Sequence, residues 1–205
     1  MIFNCLVAGV YGQGISTLSH IIAEAAFSCG LDVQISESTF KPGSPRLEGC
    51  SALSHVRMGH EIHSPLIRRE KADLMIALDA AEAVRSVGML SPTGRMLVAK
   101  DNGKDCDAMI KYLEAYFAYP SEERLAHKNV TDWLTVISGP ELAAKCGNEI
   151  ASNVVIFGAA LRKKFFPFVP DNLNAVIKKV IPAEHFDLNV RALKAGMELF
   201  GAETP

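Results

Sequence analysis

The chain has 205 residues, of which 49% are hydrophobic and 21% charged, an ordinary globular composition with enough chain for one sizeable core. The formal net charge of −2 gives no electrostatic case for binding nucleic acid or an anionic membrane. No apolar run reaches the roughly 18 to 20 residues of a transmembrane helix, and the N-terminal stretch lacks the basic start of a secretory signal. We therefore expect a cytoplasmic protein without nucleic-acid or membrane partners.

The first hundred residues alternate between strands and helices. Continuous or alternating apolar runs predict strands over residues 2–8, 32–38, 51–59, 72–79 and 94–100. Apolar residues at helical spacing predict helices over residues 15–29 and 80–90. The stretch between the second and third strands is rich in proline and glycine and is predicted to be an exposed loop.

The strand predicted over residues 51–59 has alternating side chains. We expect one set of side chains to face roughly opposite to the other, with Ala52, Val56 and Met58 on one face and Ser54, His55 and Arg57 on the other. This strand follows the one near residue 35 without an intervening helix, which predicts that the two are adjacent.

The second half of the chain is mostly helical. Helices are predicted over residues 105–120, 138–147, 153–164, 171–180 and 185–200, with an edge strand over 133–138. Ser138 and Glu141 have the spacing of a capping box. Taken together, the elements predict an α/β fold, a Rossmann-like doubly wound and mostly parallel sheet with helices on both faces and a helical C-terminal part. Without repeats or a convincing linker, we expect one domain over residues 1–205.

The five cysteines are too far apart to form a metal centre. No two of them make a C-x-x-C pair, whereas a zinc site or an iron–sulfur cluster needs clustered thiolates. His60 and His63 flank Glu61, but this turn lacks the ligand geometry of a metal site. We therefore predict reduced cysteines and no metal in this chain.

The most informative stretch is "GVYGQG", residues 9–14, between the first strand and the first helix. A Walker A loop has two glycines at the spacing of Gly9 and Gly14 and a hydroxyl at the position of Ser16. It also requires a lysine that reaches the β- and γ-phosphates, and Ile15 stands there instead. The stretch therefore argues against nucleoside triphosphate hydrolysis.

A dinucleotide fingerprint is also only partly met. Gly9, Gly12 and Gly14 give the order G-x-x-G-x-G instead of G-x-G-x-x-G, and Glu37 stands near the place of a ribose-binding acid. A nicotinamide or flavin site and a plain tight turn both remain open. Either geometry leaves free N–H groups at a helix N-terminus, which favours an anion.

Longer stretches carry a resemblance to a known family. They are "GVYGQGISTLSHIIAEAAFSCGLDVQISE", "SALSHVRMGHEIHSPLI", "KADLMIALDAAEAVRSVGMLSPTGRMLV", "ELAAKCGNEIASNVVIFGAAL" and "FDLNVRALKAGMEL". In order and approximate spacing, nearly the whole chain resembles the gamma-type subunits of 2-oxoacid:ferredoxin oxidoreductases, most closely the small (beta) subunits of the indolepyruvate type.

The resemblance implies an accessory subunit of a larger enzyme. Such an enzyme decarboxylates a 2-oxoacid, here indolepyruvate or another aryl 2-oxoacid, and yields an acyl-coenzyme A, CO2 and reduced ferredoxin. Thiamine diphosphate, Mg²⁺ and [4Fe-4S] clusters are implied on a large partner subunit, with coenzyme A at the glycine loop of this chain. The resemblance assigns no catalytic residue here, and the isolated chain should be inactive.

The resemblance is carried to individual positions where the motifs match. In the family loop, usually G-x-G-G-Q-G, a glycine is replaced by Tyr11, whose ring would either block a phosphate or stack on a base. The loop before the next family motif looks several residues longer in this chain, and the Gln-Arg-Gly-Gly core of that motif is broken by Leu47 and Glu48. The implied cofactor-binding residues are Gly9, Tyr11, Gly12, Gln13, Gly14 and Ser16 in the loop and Arg46, Gly49, Ser54, His55 and Arg57 in the second motif.

Two other functions remain open at this level. A stand-alone nicotinamide- or flavin-binding reductase would use the same glycine loop. A non-catalytic scaffold would pack the apolar C-terminal helices on a partner and bind no small molecule. Arg68 and Arg69 could neutralise coenzyme phosphates, although a solvated surface turn is the favoured interpretation.

Overall fold

The computed structural model describes residues 1–39, 49–100, 105–118 and 133–200, and a six-stranded sheet with helices on both faces organises them. The strands are β1 (Phe3–Val10), β2 (Asp32–Thr39), β3 (Ser51–Gly59), β4 (Ala72–Ala77), β5 (Leu90–Ala99) and β6 (Leu134–Ile137). The helices are α1 (Ile15–Ser28), α2 (Ala80–Ser86), α3 (Cys106–Ala118), α4 (Gly139–Cys146), α5 (Ser152–Arg162), α6 (Leu173–Val180) and α7 (Phe186–Glu198).

The strand order is β2-β3-β1-β4-β5-β6, and the predicted α/β fold class is confirmed. Strands β1, β4, β5 and β6 are parallel neighbours, while β3 pairs antiparallel with both β1 and β2. Only β3 therefore runs against the other strands. The chain leaves β1 toward β2 on one side and later enters β4 on the other. This makes the carboxyl end of β1 a topological switch point, where α/β sheets usually bind ligands.

The central strands are apolar on both faces because each face supports a core. Cys5 and Val7 of β1 point into a first core, packed under α1 and α4 to α7. Leu6 and Ala8, one residue out of phase, point into a second core under α2 and α3. This alternation explains why β1 and β4 have the continuous apolar sequences typical of buried parallel strands.

A segment without regular secondary structure, residues 60–71 (called the strap below), lies over β2 and β3 on the face that carries the second core. Gln34 Nε2 donates to the Ile62 carbonyl at 3.0 Å, and the backbone N–H of Ile67 donates to His55 Nδ1 at 3.2 Å. The side chains of Ile62 and Ile67 are both buried. The strap thus takes the place that a helix occupies over the central strands.

The C-terminal helices pack on the first core, and two glycines allow the closest contact. A Cβ on Gly158 of α5 would collide with the Leu193 carbonyl of α7. A Cβ on Gly196 of α7 would collide with the Val155 carbonyl of α5. The backbones of the two helices therefore approach each other at positions that only glycine fits. No helix in the described ranges is long and apolar enough to cross a membrane.

Three local predictions were wrong. The side chain of Ser54 is buried on the same face as Ala52 and Val56 because strand alternation is strict, and its hydroxyl has no partner in the described chain. Ser138 precedes α4, but its side chain does not cap the helix. The helix predicted over residues 80–90 ends at Ser86 and continues as a single 3-10 turn to Met89.

Candidate functional site

The glycine loop lies at the carboxyl end of β1 and opens helix α1. Gly12 and Gly14 have left-handed φ angles of 98° and 80°, which favour glycine at both positions. Gly14 is the N-cap residue, no side chain in the described part of the chain caps the helix, and the first turn holds no acidic residue. The first N–H groups of α1 therefore lack the side-chain acceptor that usually satisfies them, and the positive end of the helix dipole faces the loop.

Hydrogen bonds fix the loop from both sides. Gln13 folds back, so that its Oε1 accepts from the Val10 N–H at 2.8 Å while its own N–H donates to the Val10 carbonyl at 3.1 Å. The Tyr11 N–H donates to the Cys50 carbonyl at 2.9 Å. Gln13 is thus engaged in shaping the loop through its carbonyl oxygen. The resulting loop is preorganised, which lowers the entropy cost of binding a ligand there.

Two cavities flank the loop. The first, of about 310 Å³, lies toward the ends of β2 and β3 and includes Tyr11, Ser16, Glu37 and Ala52 in its lining. The second, of about 260 Å³, lies toward the C-terminal helices, and its lining includes Asn153, Ile181, His185 and Asn189. Gly12 and Gly14 line both cavities, so the free N–H groups of the helix N-terminus lie between them.

Tyr11 leaves the loop open. Its side chain is 48% exposed at the rim of the first cavity. A Cβ placed on Gly12 would meet no atom of the described residues within 4 Å, so among these residues nothing covers the central part of the loop. The sequence left two roles for the Tyr11 ring, blocking a phosphate or stacking on a base, and this geometry disfavours the first.

Glu37 provides the acidic group of the first cavity. It lies near the end of β2, and its Oε1 lies 3.9 Å from Nδ1 of His20, one turn into α1 from Ser16. His20 Nδ1 is also 2.8 Å from the Ser16 carbonyl. An exposed carboxylate beside a phosphate-binding type of turn is the arrangement that recognises an unmodified ribose diol.

A buried carboxylate, that of Glu82 in α2, holds the start of β3 beside the glycine loop. Glu82 is only 2% exposed, and it accepts hydrogen bonds from Ser51 Oγ at 2.8 Å and from the Arg85 guanidinium. Its N–H is in turn capped by Asp79 Oδ1 at 3.0 Å. Because Ser51 begins β3 and Glu82 lies in α2, this pair ties the strand to the helix next to the glycine loop.

The structure divides the described site residues into two groups, and Ser54, buried on the other face of β3, belongs to neither. The loop residues Gly9 to Gly14 and Ser16 lie together, and Gly49, at a φ of 77°, lies just before the Cys50 carbonyl that the loop contacts. His55 and Arg57 lie further along β3, paired with Leu6 and Asn4 toward the opposite end of β1. Arg46 lies outside the described residues. The glycine loop and the His55–Arg57 pair therefore do not form one site.

His55 has a defined role in its own surroundings. Its Nδ1 accepts the N–H of Ile67, so the neutral ring carries its proton on Nε2. Burial lowers the pKa of His55 below its ordinary value, because the charged ring is poorly solvated there. His55 therefore acts as a neutral acceptor that holds the strap on β3.

The sequence did not single out the residues of the second cavity. Asn153 Nδ2 donates to the Gly14 carbonyl at 3.1 Å, although 139 positions separate the two residues. Asn153 is a buried polar residue at the start of an otherwise apolar helix, and buried polar groups need partners. A polar residue at the start of an apolar helix is the one sequence signal that could have identified Asn153. His185 and Asn189 carried no comparable signal.

No group of three or more His, Cys, Asp or Glu side chains in the described ranges could hold a metal ion. Cys5 and Cys106 are buried, and burial raises the pKa of the Cys5 thiol far above its ordinary value. A buried thiol of this kind is neither a thiolate ligand nor a nucleophile.

Fold and site together define an α/β protein with a nucleotide-type glycine loop at a topological switch point. The sequence matches the pyruvate ferredoxin/flavodoxin oxidoreductase family over residues 4–199, and the chain belongs to this family. Curated relatives are indolepyruvate oxidoreductase subunits IorB. The one from Archaeoglobus fulgidus is 33% identical over 96% of this chain and 94% of its own length. The one from Pyrococcus horikoshii is 26% identical over 96% and 95%.

Solved structures share the fold. The pyruvate oxidoreductase subunit PORC of Thermotoga maritima has a TM-score of 0.66 at 22% identity, covering 96% of both chains. A 2-oxoglutarate:ferredoxin oxidoreductase of Magnetococcus marinus, solved with 2-oxoglutarate, coenzyme A and succinyl-CoA bound, has a TM-score of 0.64 at 18% identity. This chain is covered over 99% of its length but corresponds to 32% of that one. The resemblance to gamma-type subunits drawn from the sequence is confirmed.

Proposed function

We propose that this chain is the accessory, IorB-type subunit of a 2-oxoacid:ferredoxin oxidoreductase that acts on indolepyruvate or another aryl 2-oxoacid. The complex would convert the 2-oxoacid and coenzyme A to an acyl-coenzyme A, CO2 and reduced ferredoxin. Thiamine diphosphate, Mg²⁺ and [4Fe-4S] clusters would reside in a large partner subunit. The names of the curated relatives support the substrate, and the family supports the reaction class.

The observation that carries a coenzyme A site is the open, uncapped N-terminus of α1. The diphosphate of coenzyme A carries the negative charge that unpaired N–H groups and the helix dipole attract. The backbone of Gly14, Ile15 and Ser16 would hold it, and open space at Gly12 lets the ligand approach the main chain. The chain's contribution is to bind and orient the coenzyme.

Glu37 constrains how that ligand lies. The ribose of coenzyme A carries a 3′-phosphate, and a carboxylate beside it would repel that group. We therefore place the phosphorylated ribose toward the second cavity, where His185 and Asn189 lie and Glu37 does not. The first cavity would then receive the uncharged pantetheine arm.

The same carboxylate favours a second candidate, an adenine dinucleotide with an unmodified ribose in the first cavity. A nicotinamide- or flavin-binding reductase would use Glu37 in this way. The two candidates therefore differ in whether the 3′-phosphate helps or hinders binding.

Thermal unfolding of the purified chain with coenzyme A, 3′-dephospho-coenzyme A or NADH tests the proposal. A bound ligand at about 100 times its Kd should stabilise the chain by about 2.7 kcal/mol. Coenzyme A should stabilise it most. Ser16→Asp should abolish the effect because it adds a carboxylate at the helix N-terminus, and Ser16→Asn, its uncharged match, should retain most of it. Stabilisation by NADH but not by coenzyme A would instead support the reductase.

A further inference from the structure

A cleft separate from the two cavities at the glycine loop lies at the amino end of β1, on the face that the strap covers. Its volume is about 360 Å³, and its lining includes Asn4, Arg57, Ser64, Leu66, Arg68 and Lys71. The six residue-to-residue steps from Asn4 to Val10 extend about 20 Å along the strand, so this cleft is far from the glycine loop. We call it the amino-edge cleft.

Three cations, Arg57, Arg68 and Lys71, line the amino-edge cleft. Arg57, Arg68 and Lys71 form no ion pair with any residue of the described ranges. Asp73, on the neighbouring strand β4, accepts the Asn4 N–H at 2.8 Å and is not among the lining residues. Clustered like charges repel one another, so an arrangement of this kind is stabilised by an anion.

The arginine at the base of the cleft is held in place. Arg57 Nε donates to Asn4 Oδ1 at 2.9 Å, and its Nη1 donates to the Ser64 carbonyl at 2.5 Å. Asn4 is itself fixed, because its Nδ2 donates to the Lys71 carbonyl at 2.9 Å. These bonds use Nε and Nη1, and Nη2 donates to no acceptor in the described residues, so it is left for a ligand on a guanidinium whose orientation is already set.

The strap that presents the other two cations is also fixed. Backbone N–H groups of Glu70 and Lys71 donate to the carbonyls of Gly88 and Met89, at 3.2 and 3.1 Å. With the His55–Ile67 bond, these contacts anchor the strap on both sides of Arg68. The Arg57 side chain and the backbone of the strap are therefore both held in place by hydrogen bonds.

We infer that the amino-edge cleft binds a small, multiply charged anion, a phosphate monoester or diphosphate group, through Arg57, Arg68 and Lys71. Three positive charges are better matched by a dianion or trianion than by a single carboxylate. This inference does not depend on the proposed coenzyme A site, because the two positions share no residue.

The test is a titration of the ¹⁵N-labelled full-length chain with inorganic pyrophosphate, followed by NMR. Signals of the Asn4 side-chain amide and of Arg57 Nε–H report on the cleft, and the Gly12 and Gly14 amides report on the glycine loop. The Arg68→Gln, Lys71→Gln double variant should bind pyrophosphate at the cleft about tenfold more weakly. Both side chains are exposed, so the variant should fold.

The matched control removes two other exposed cations by Arg69→Gln and Lys111→Gln, and should leave the cleft affinity within about twofold. Ser16→Asp should abolish the glycine-loop response and leave the cleft response intact, which separates this inference from the proposed function. Acetate should bind the cleft more weakly than pyrophosphate. Absent shifts at the cleft, equal weakening in both double variants, or acetate binding as tightly as pyrophosphate would each overturn the inference.

Discussion

The side-chain amide of Asn153, at the start of α5, donates to the carbonyl of Gly14 at 3.1 Å and so holds the last residue of the glycine loop. Its Oδ1 accepts the N–H of Val154 at 2.9 Å, which fixes the orientation of the amide. The loop is thus positioned by a helix from the far end of the sequence. Any ligand at α1 depends on this long-range contact.

Replacing Asn153 by alanine should therefore weaken both the fold and the loop. The Gly14 carbonyl would keep the Leu18 N–H at 2.9 Å but lose the Asn153 amide, and the Val154 N–H would lose Asn153 Oδ1. At about 0.5–1.5 kcal/mol for each of the two lost hydrogen bonds, we expect the free energy of unfolding to fall by about 1–3 kcal/mol in urea denaturation. Asn172→Ala, which removes the N-cap of α6 at a residue that lines neither of the two cavities flanking the loop, is the control. The account of the loop is wrong if Asn153→Ala keeps wild-type coenzyme A affinity.

Gly14 and Gly12 should tolerate alanine to different degrees. Both have left-handed φ angles, which cost an alanine roughly 1–2 kcal/mol. A Cβ on Gly14 would also collide with the Asn153 amide, whereas a Cβ on Gly12 meets open space. Urea denaturation should therefore show a larger loss of stability for Gly14→Ala than for Gly12→Ala, and the reverse order would contradict the packing of the loop.

The contact between α5 and α7 predicts a strong effect of Gly196→Ala. The new methyl group would collide with the Val155 carbonyl, so the helices must separate and the first core must open. Overpacking of this kind costs about 1–3 kcal/mol or more, measured as a lower Tm. Lys194→Ala, on the exposed side of α7, should change stability by less than about 0.5 kcal/mol. Equal effects of the two changes would refute the close approach.

His55 should make stability depend on pH. Its pKa is lowered in the folded chain, so the unfolded chain binds the proton more tightly. The stabilisation is complete above the unfolded pKa of about 6.5 and is lost as the pH falls below it toward the folded pKa. The loss of stability between about pH 7.5 and about pH 5.5 should be smaller in His55→Gln than in the wild type. The exposed His60→Gln should behave like the wild type, and an unchanged slope in His55→Gln would count against the role assigned to His55.

Much of the fold could be predicted because its signals are local. The continuous apolar sequences of β1 and β4 reflect burial on two faces, and β6 was expected at an edge, where it lies. The prediction for Ser54 was wrong because it set the strict alternation of a strand aside. The capping box at Ser138 was wrong because its spacing in sequence does not ensure the geometry of a cap.

The candidate site could be predicted only in part. The glycine turn lies within six residues, so its position and its anion-friendly helix start were visible in the sequence. Asn153 contacts the loop, and His185 lines the adjoining cavity, through the packing of C-terminal helices, which no local pattern encodes. The separation of Arg57 from the loop depends on strand register, which places it opposite Asn4. The sequence motifs therefore suggested one site for the glycine loop and Arg57, whereas the sheet places them at different ends of β1.

The central proposal is that this chain is an accessory subunit whose glycine loop would present coenzyme A to a partner with the redox centres. The most direct test measures reduction of a viologen dye, dependent on indolepyruvate and coenzyme A, by the purified chain, by its co-purified large subunit, and by the two together. We predict activity only for the assembled complex, and a higher KM for coenzyme A when the chain carries Ser16→Asp. Turnover by the isolated chain, or by a complex indifferent to Ser16→Asp, would contradict the claim.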